Sequence, residues 1–131
     1  MAAAVIEFPV GVLLLAAPAM VAQLLLGTPL TSAAALLVAR IAGAALLAIS
    51  LSCWLERRRP AAGPLSGLVG GLLVYNAAVF ALLSYAALLQ GLHGIGTWPA
   101  CALHFAMAIW CAQVLRMERR ARAQSAAGAR S

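Results

Sequence analysis

The sequence predicts an all-α integral membrane protein, a four-helix bundle with both termini on the cytoplasmic side, and three observations carry that prediction. Of the 131 residues, 65% are hydrophobic and only 9% are charged, whereas about a quarter of residues are charged in soluble domains. Four apolar runs recur almost from end to end, each close to the roughly 20 residues that a hydrocarbon core of about 30 Å demands. Apart from Arg40, the arginines follow the second and fourth runs, and none lies in the other two connections. Positive charge marks the cytoplasmic side, so an even number of spans with an N-in/C-in topology follows. The chain reads as one four-span domain over residues 1–122, with a disordered cytoplasmic tail over 123–131.

The first run covers about residues 9–26. Pro9 stands at its start, where a missing amide costs nothing, and Pro18 near its middle predicts a kink. It is read as an uncleaved first span. The rival reading is a signal peptide cut near Ala17-Pro18-Ala19, but the region before it has no Lys or Arg and carries Glu7. Gly27-Thr28-Pro29 supplies turn chemistry, and the uncharged connection is placed outside. The second run, about 32–55, has no proline and ends in Trp54 followed by Glu56-Arg57-Arg58-Arg59, an aromatic anchor and then a basic cytoplasmic loop. Pro60, Gly63 and Pro64 make that loop a short turn. In the third run, about 65–89, Gly63, Gly67 and Gly71 fall at every fourth position, which lets another helix backbone approach closely; Ala35, Ala39 and Gly43 repeat the spacing on the second. Gly67, Gly71 and Gly43 are therefore the expected helix-packing positions.

Gln90 to Thr97 is glycine-rich, yet no strand precedes it and it joins two spans, so it is no dinucleotide fingerprint. It is read as a flexible external connection. Trp98-Pro99 opens the fourth run, about 98–115, with an interfacial aromatic and a helix-start proline.

The net charge of +6 does not point to nucleic acid, because the basic residues flank apolar spans. Arg57, Arg58, Arg59, Arg116, Arg119 and Arg120 are expected to fix topology and to meet anionic lipid headgroups, with the bilayer as the partner. All nine basic residues are Arg, with no Lys and no Asp. That usage, with abundant alanine, suggests a GC-rich bacterial genome and hence a bacterial cytoplasmic (inner) membrane. Cys53, Cys101 and Cys111 form no C-x-x-C pair, and Cys101 and Cys111 on one helix would stand about 15 Å apart, beyond disulfide reach. They read as small apolar fillers. Neither a metal-ligand cluster nor a nucleophile with its base is visible, which argues against an enzyme and against a bound metal.

Polar residues inside the spans are the candidate site. With each helix centred in the membrane, Arg40 falls about 6 Å and His104 about 4 Å toward the outside, Asn76 lies near the midplane, and Gln23 about 8 Å outward. With Tyr75 beside Asn76, these residues would line a small polar chamber if they face inward. Arg40 has no carboxylate at its depth, so it either snorkels to the headgroups or holds carbonyls, Asn76 or an anion brought by a ligand. His104 is read as a neutral histidine bonded to a neighbouring helix; His93 in the loop gives it no second axial ligand for haem. Glu7 is either a proton-coupling carboxylate or, more in keeping with its shallow position, a solvated first-turn acid.

The run Ala39-Arg40-Ile41-Ala42-Gly43-Ala44-Ala45-Leu46-Leu47, with the length and four spans, resembles the small DoxX-like group of bacterial membrane proteins, in which an early helix carries an arginine followed by small residues. That resemblance implies an association with membrane redox complexes or quinone-linked oxidation, with Arg40 as the residue carried over and a quinone as the conceivable cofactor. Two functions follow. The first is a non-enzymatic accessory or assembly subunit, self-associating or docked on a larger membrane complex. The second is a ligand-binding membrane protein, a small transporter or a quinone-associated redox subunit, using Arg40, Asn76, Tyr75, His104 and Gln23.

Overall fold

A computed structural model describes residues 2–56 and 66–128, and every regular element among them is helical. The elements are α1 (Ala2–Ala16), α2 (Pro18–Leu26), α3 (Ala33–Glu56), α4 (Ser66–Leu89) and α5 (Thr97–Gly128). Arg57, Arg58 and Arg59, with the cytoplasmic turn read from Pro60, Gly63 and Pro64, lie outside the described residues. Three helices, α3, α4 and α5, are long and apolar enough to cross a membrane, and α1 with α2 makes a fourth if the bent pair is one span. By Cα packing the chain divides into a first unit, Met1–Gly63 with Ala86–Thr97, and a second, Pro64–Tyr85 with Trp98–Ser131.

The first run departs most from its expected form. Its helix begins at Ala2, so Pro9 lies inside α1 and not at its start. At Ala17 the backbone leaves the helix, and α2 departs at 118° to α1. A proline kink inside one continuous span is much gentler than this. Pro18 has no N–H to give Leu14 and disfavours helical φ/ψ at the residue before it, so α1 stops and α2 restarts with proline at its first position. At 15 residues α1 is about 22 Å long, short of the bilayer core on its own.

Within the first unit α1 packs antiparallel on α3. Gly43, Leu46, Ser50 and Cys53 form the buried stripe of α3 at spacings of three and four residues. The two backbones meet at a pair of glycines. A Cβ on Gly43 would stand 2.9 Å from the Gly11 carbonyl oxygen and 2.9 Å from Leu14 Cβ, and one on Gly11 would stand 3.0 Å from the Gly43 carbonyl oxygen. Gly43 is therefore at a helix crossing, with Gly11 as its counterpart. Gly67 and Gly71 behave differently: both are exposed, and a Cβ on either would meet nothing within 4 Å.

Glu7 is only 5% exposed. It lies in the second turn of α1, four residues before Gly11 on the face turned to α3, so the reading of a solvated first-turn acid is corrected. Its carboxylate is close enough to Cys53 to act on it electrostatically. All three cysteines are buried, and none forms a disulfide.

The glycine-rich connection is an ordered cap on α2. Gly27 (φ 73°) donates its N–H to Gln23 O at 3.1 Å, Gly96 N–H reaches Leu24 O at 2.8 Å, and Gly94 N–H reaches Leu25 O at 3.1 Å. Thr97, fully buried, donates its hydroxyl to Leu25 O as well and accepts the Gly94 N–H at 2.8 Å. Three of the four carbonyls that the end of a helix leaves bare are thus satisfied. The approach requires glycine: a Cβ on Gly94 would fall 2.2 Å from Leu24 O, and one on Gly27 2.3 Å from His93 O. The expectation of a flexible connection is overturned, because bare carbonyls in apolar surroundings are costly and these amides meet them.

Where disorder is expected from Ala123, α5 continues to Gly128. Ala, Arg, Gln and Glu are strong helix formers, the preceding span has already nucleated the helix, and Glu118 pairs with Arg122 one turn on at 3.5 Å.

Candidate functional site

The polar residues of the spans fall into local groups, each built by a different element. Arg40 stands in the third turn of α3, whose start is set by Ser32: the Ser32 hydroxyl accepts the Ala35 N–H at 3.1 Å as an N-cap. Two turns along, Arg40 donates Nε–H to the Leu15 carbonyl at 3.3 Å. Leu15 lies in the last turn of α1, beside the break, where Pro18 interrupts the normal ladder. Arg40 is thus a side-chain cap on a broken helix, a cation placed where the helix dipole is negative. At the other side of the break Ala17 accepts from Met20 N–H at 3.1 Å and Val21 N–H at 3.3 Å, which starts α2.

Gln23 belongs to the end of α2. Its Nε2 donates to Gly27 O at 3.0 Å, closing the same cap that Gly27 begins. The side chain is exposed and serves its own helix terminus.

In the second unit three predicted residues come together. Asn76, 2% exposed, accepts at Oδ1 from His104 Nδ1 at 2.8 Å and donates Nδ2–H to Leu72 O at 2.7 Å. Tyr75 meets the His104 ring edge to face, with centroids 5.7 Å apart and planes at 79°. The amide orientation follows from chemistry, because turning it over would set Oδ1 against the Leu72 carbonyl oxygen. With Oδ1 on the histidine side, only a proton on Nδ1 completes the bond. The neutral ring therefore presents Nε2 as an unprotonated acceptor. Phe80 on Phe105, at 5.1 Å, and Ser84 near Cys101, at 3.9 Å, continue the α4 to α5 contact.

Sequence reading missed Gly11, Gly94, Gly96 and Thr97. A signal for the last three was present: a glycine at Gly27 directly after an apolar helix announces a C-cap, and glycines alternating at Gly94 and Gly96 suit a backbone that must lie against another backbone. Arg116, Arg119 and Arg120 are exposed along the continuation of α5. No group of three or more His, Cys, Asp or Glu residues fit to hold a metal occurs among the described residues.

Against known proteins, the chain matches no family model, no curated protein and no solved structure.

Proposed function

We propose that this small multi-pass membrane protein is a non-enzymatic accessory or assembly subunit of a bacterial inner membrane, with both termini cytoplasmic. The observation that carries the reading is the division of labour between its polar and small residues. Inside the spans, the hydrogen bonds of Arg40, Asn76, His104 and Gln23 go to backbone carbonyls or to one another, which builds the fold. On α4, Gly67 and Gly71 are exposed at a spacing of four residues with open space above both. Lipid chains have no need of such a groove, whereas a second transmembrane helix approaches closely only over small residues. The partner of this face is a transmembrane helix of the subunit that the chain serves.

The topology within this reading rests on the α2 cap. The connection before α5 is hydrogen-bonded to the C-terminal end of α2, which is consistent with the connections before α3 and before α5 lying on one side of the membrane. The arginines after α3 and within the end of α5 then mark the opposite, cytoplasmic side.

The test is cysteine cross-linking and native electrophoresis after extraction in mild detergent, comparing Gly67→Leu and Gly71→Leu with Arg40→Ala. Loss of the partner in the glycine variants and its retention in Arg40→Ala is the expected result. Equal loss in all three sinks the α4 assignment, and a cross-link between two copies makes the chain a homo-oligomer.

A second reading is favoured by one observation, the free acceptor on His104. An unprotonated Nε2 on this ring, which packs against Tyr75, suits the hydroxyl of a reduced quinone, as the resemblance to the DoxX-like group would have it. In that case His104→Leu abolishes quinol retention while the Gly67 and Gly71 variants keep it.

A further inference from the structure

Arg40 holds more hydrogen-bonding capacity than the fold uses. A guanidinium carries five N–H donors in a rigid planar fork. Nε is committed to Leu15 O. For the four N–H groups of the two terminal nitrogens there is no acceptor among the described residues. Nor does an acid stand near along the elements packed here: Glu7 lies eight residues from Leu15 on α1, about 12 Å, and Glu56 sixteen residues from Arg40 on α3, about 24 Å. The side chain is exposed, within an otherwise apolar span.

Depth decides what meets it. Arg40 lies about 7 Å from the middle of α3 toward its N-terminal end. Side chains on a helix lean toward the N-terminus, and an arginine reaches about 6 Å in that direction. The fork therefore comes within a few ångströms of the edge of a core about 30 Å thick. Phosphodiester groups of the lipids lie just beyond that edge.

We propose that Arg40 is the receptor for one phospholipid phosphate, taken from the leaflet at the N-terminal end of α3. The geometry has two parts. Nε–H tethers the guanidinium to the broken end of α1, which leaves the edge formed by the two terminal nitrogens without an acceptor among the described residues. That edge is the bidentate partner of two phosphate oxygens, a match that the point charge of lysine does not reproduce. An anionic headgroup is preferred, because its phosphate has no amine of its own competing with the arginine. The bound lipid neutralises the one intramembrane cation of the described spans and covers the break between α1 and α2. This inference is independent of the partner helix proposed for α4.

The experiment is native mass spectrometry of the full chain in detergent, titrated with phosphatidylglycerol, with phosphatidylcholine and with inorganic phosphate. The background carries Arg116→Ala, Arg119→Ala, Arg120→Ala and Arg122→Ala, which removes the cationic cluster described on α5. Two changes are compared with Arg40 in that background. Arg40→Gln retains an N–H for the Leu15 carbonyl but lacks the fork, and Arg40→Lys retains the charge but not the plane. Retention of one phosphatidylglycerol by the Arg40 form, about fivefold weaker in Arg40→Gln and intermediate in Arg40→Lys, is the expected result. Cys53 must stay unreactive to thiol reagents in the Gln form, which separates a lost lipid from a lost fold. Equal phosphatidylglycerol retention in the Arg40 and Gln forms overturns the proposal. So does displacement of the lipid by millimolar inorganic phosphate, which would make the ligand a free anion, and so does loss of lipid only together with exposure of Cys53.

Discussion

Replacing Gly43 with alanine puts a Cβ into a crossing that has no room for it. At 2.9 Å from the Gly11 carbonyl oxygen, 2.9 Å from Leu14 Cβ and 3.1 Å from Leu15 N, it meets backbone on one side and a Cβ on another, none of which swings away. Relief to an ordinary contact distance needs the helices to part by about 0.5 Å, enough to forfeit about a quarter of the dispersion well at every contact along the crossing. Overpacking of this kind costs about 1–3 kcal/mol. Against it stands the better helix propensity of alanine, about 1 kcal/mol. Gly71→Ala brings the same propensity gain with nothing within 4 Å of the new methyl. The difference between the two variants therefore isolates the crossing, and it should be about 1–3 kcal/mol in favour of Gly71→Ala. Reversible unfolding in mixed micelles measures it, with the reactivity of Cys53, buried on the same stripe of α3 as Gly43, as the readout. A difference below about 0.5 kcal/mol, the scale of an ordinary surface substitution, would refute a backbone crossing at Gly11 and Gly43.

Gly94→Ala drives a methyl into Leu24 O and uncouples the amides that cap α2. Hydrogen exchange at Gly94 and Gly96 should rise at least tenfold, while Gly91→Ala, strained at φ 66° but facing open space, leaves those two amides protected. For Asn76→Leu and His104→Leu, each single change should cost about 0.6 kcal/mol and at most about 1.7, the range of interhelical hydrogen bonds in membranes. The double variant should cost little more than either, and a fully additive cycle would show that the 2.8 Å contact carries no coupling. In the tail, spin labels at Ala121 and Ser125 should give one narrow distance set by a rise of about 6 Å along a continuous helix. A broad distribution would mean that α5 ends before them.

Hydropathy alone places the start of α3 and the end of α4 within a residue or so of where the structure has them, because an uninterrupted apolar run that begins after Ser32, or stops at Gln90, leaves the chain little alternative. The first run shows where that signal stops. Apolar content is the same in a straight span and in two helices meeting at 118°, so it says nothing about direction. Pro18 announces a disturbance, but its size depends on who receives the carbonyls that the break exposes. Leu15 O finds Arg40, twenty-five residues away, and the C-terminal carbonyls of α2 find Gly94, Gly96 and Thr97, some seventy residues on. Neither partner is visible from the local sequence. A break that would be prohibitively costly with bare carbonyls is stable because distant donors meet them.

The same limit explains the polar layer. Helical rise predicts depth only along a straight span, so the sequence can rank Arg40, Asn76 and His104 along the membrane normal, whereas Gln23 stands on α2, beyond the 118° break. Whether residues at one depth touch depends on the rotation of each helix about its axis. In strongly apolar helices the hydrophobic pattern barely fixes that rotation, since almost every face is apolar. Hydrogen bonds fix it instead. Asn76 must turn toward His104 because a buried amide oxygen without a donor is costly, and Arg40 must turn toward Leu15 because a helix end beside a proline lacks one. Arg40, Asn76 and His104 therefore act first as orientation keys for their helices. A ligand can only use what remains after that role is filled: the outer edge of the Arg40 fork, and the Nε2 lone pair of His104. That donor edge and that acceptor are what the lipid and quinol proposals rest on.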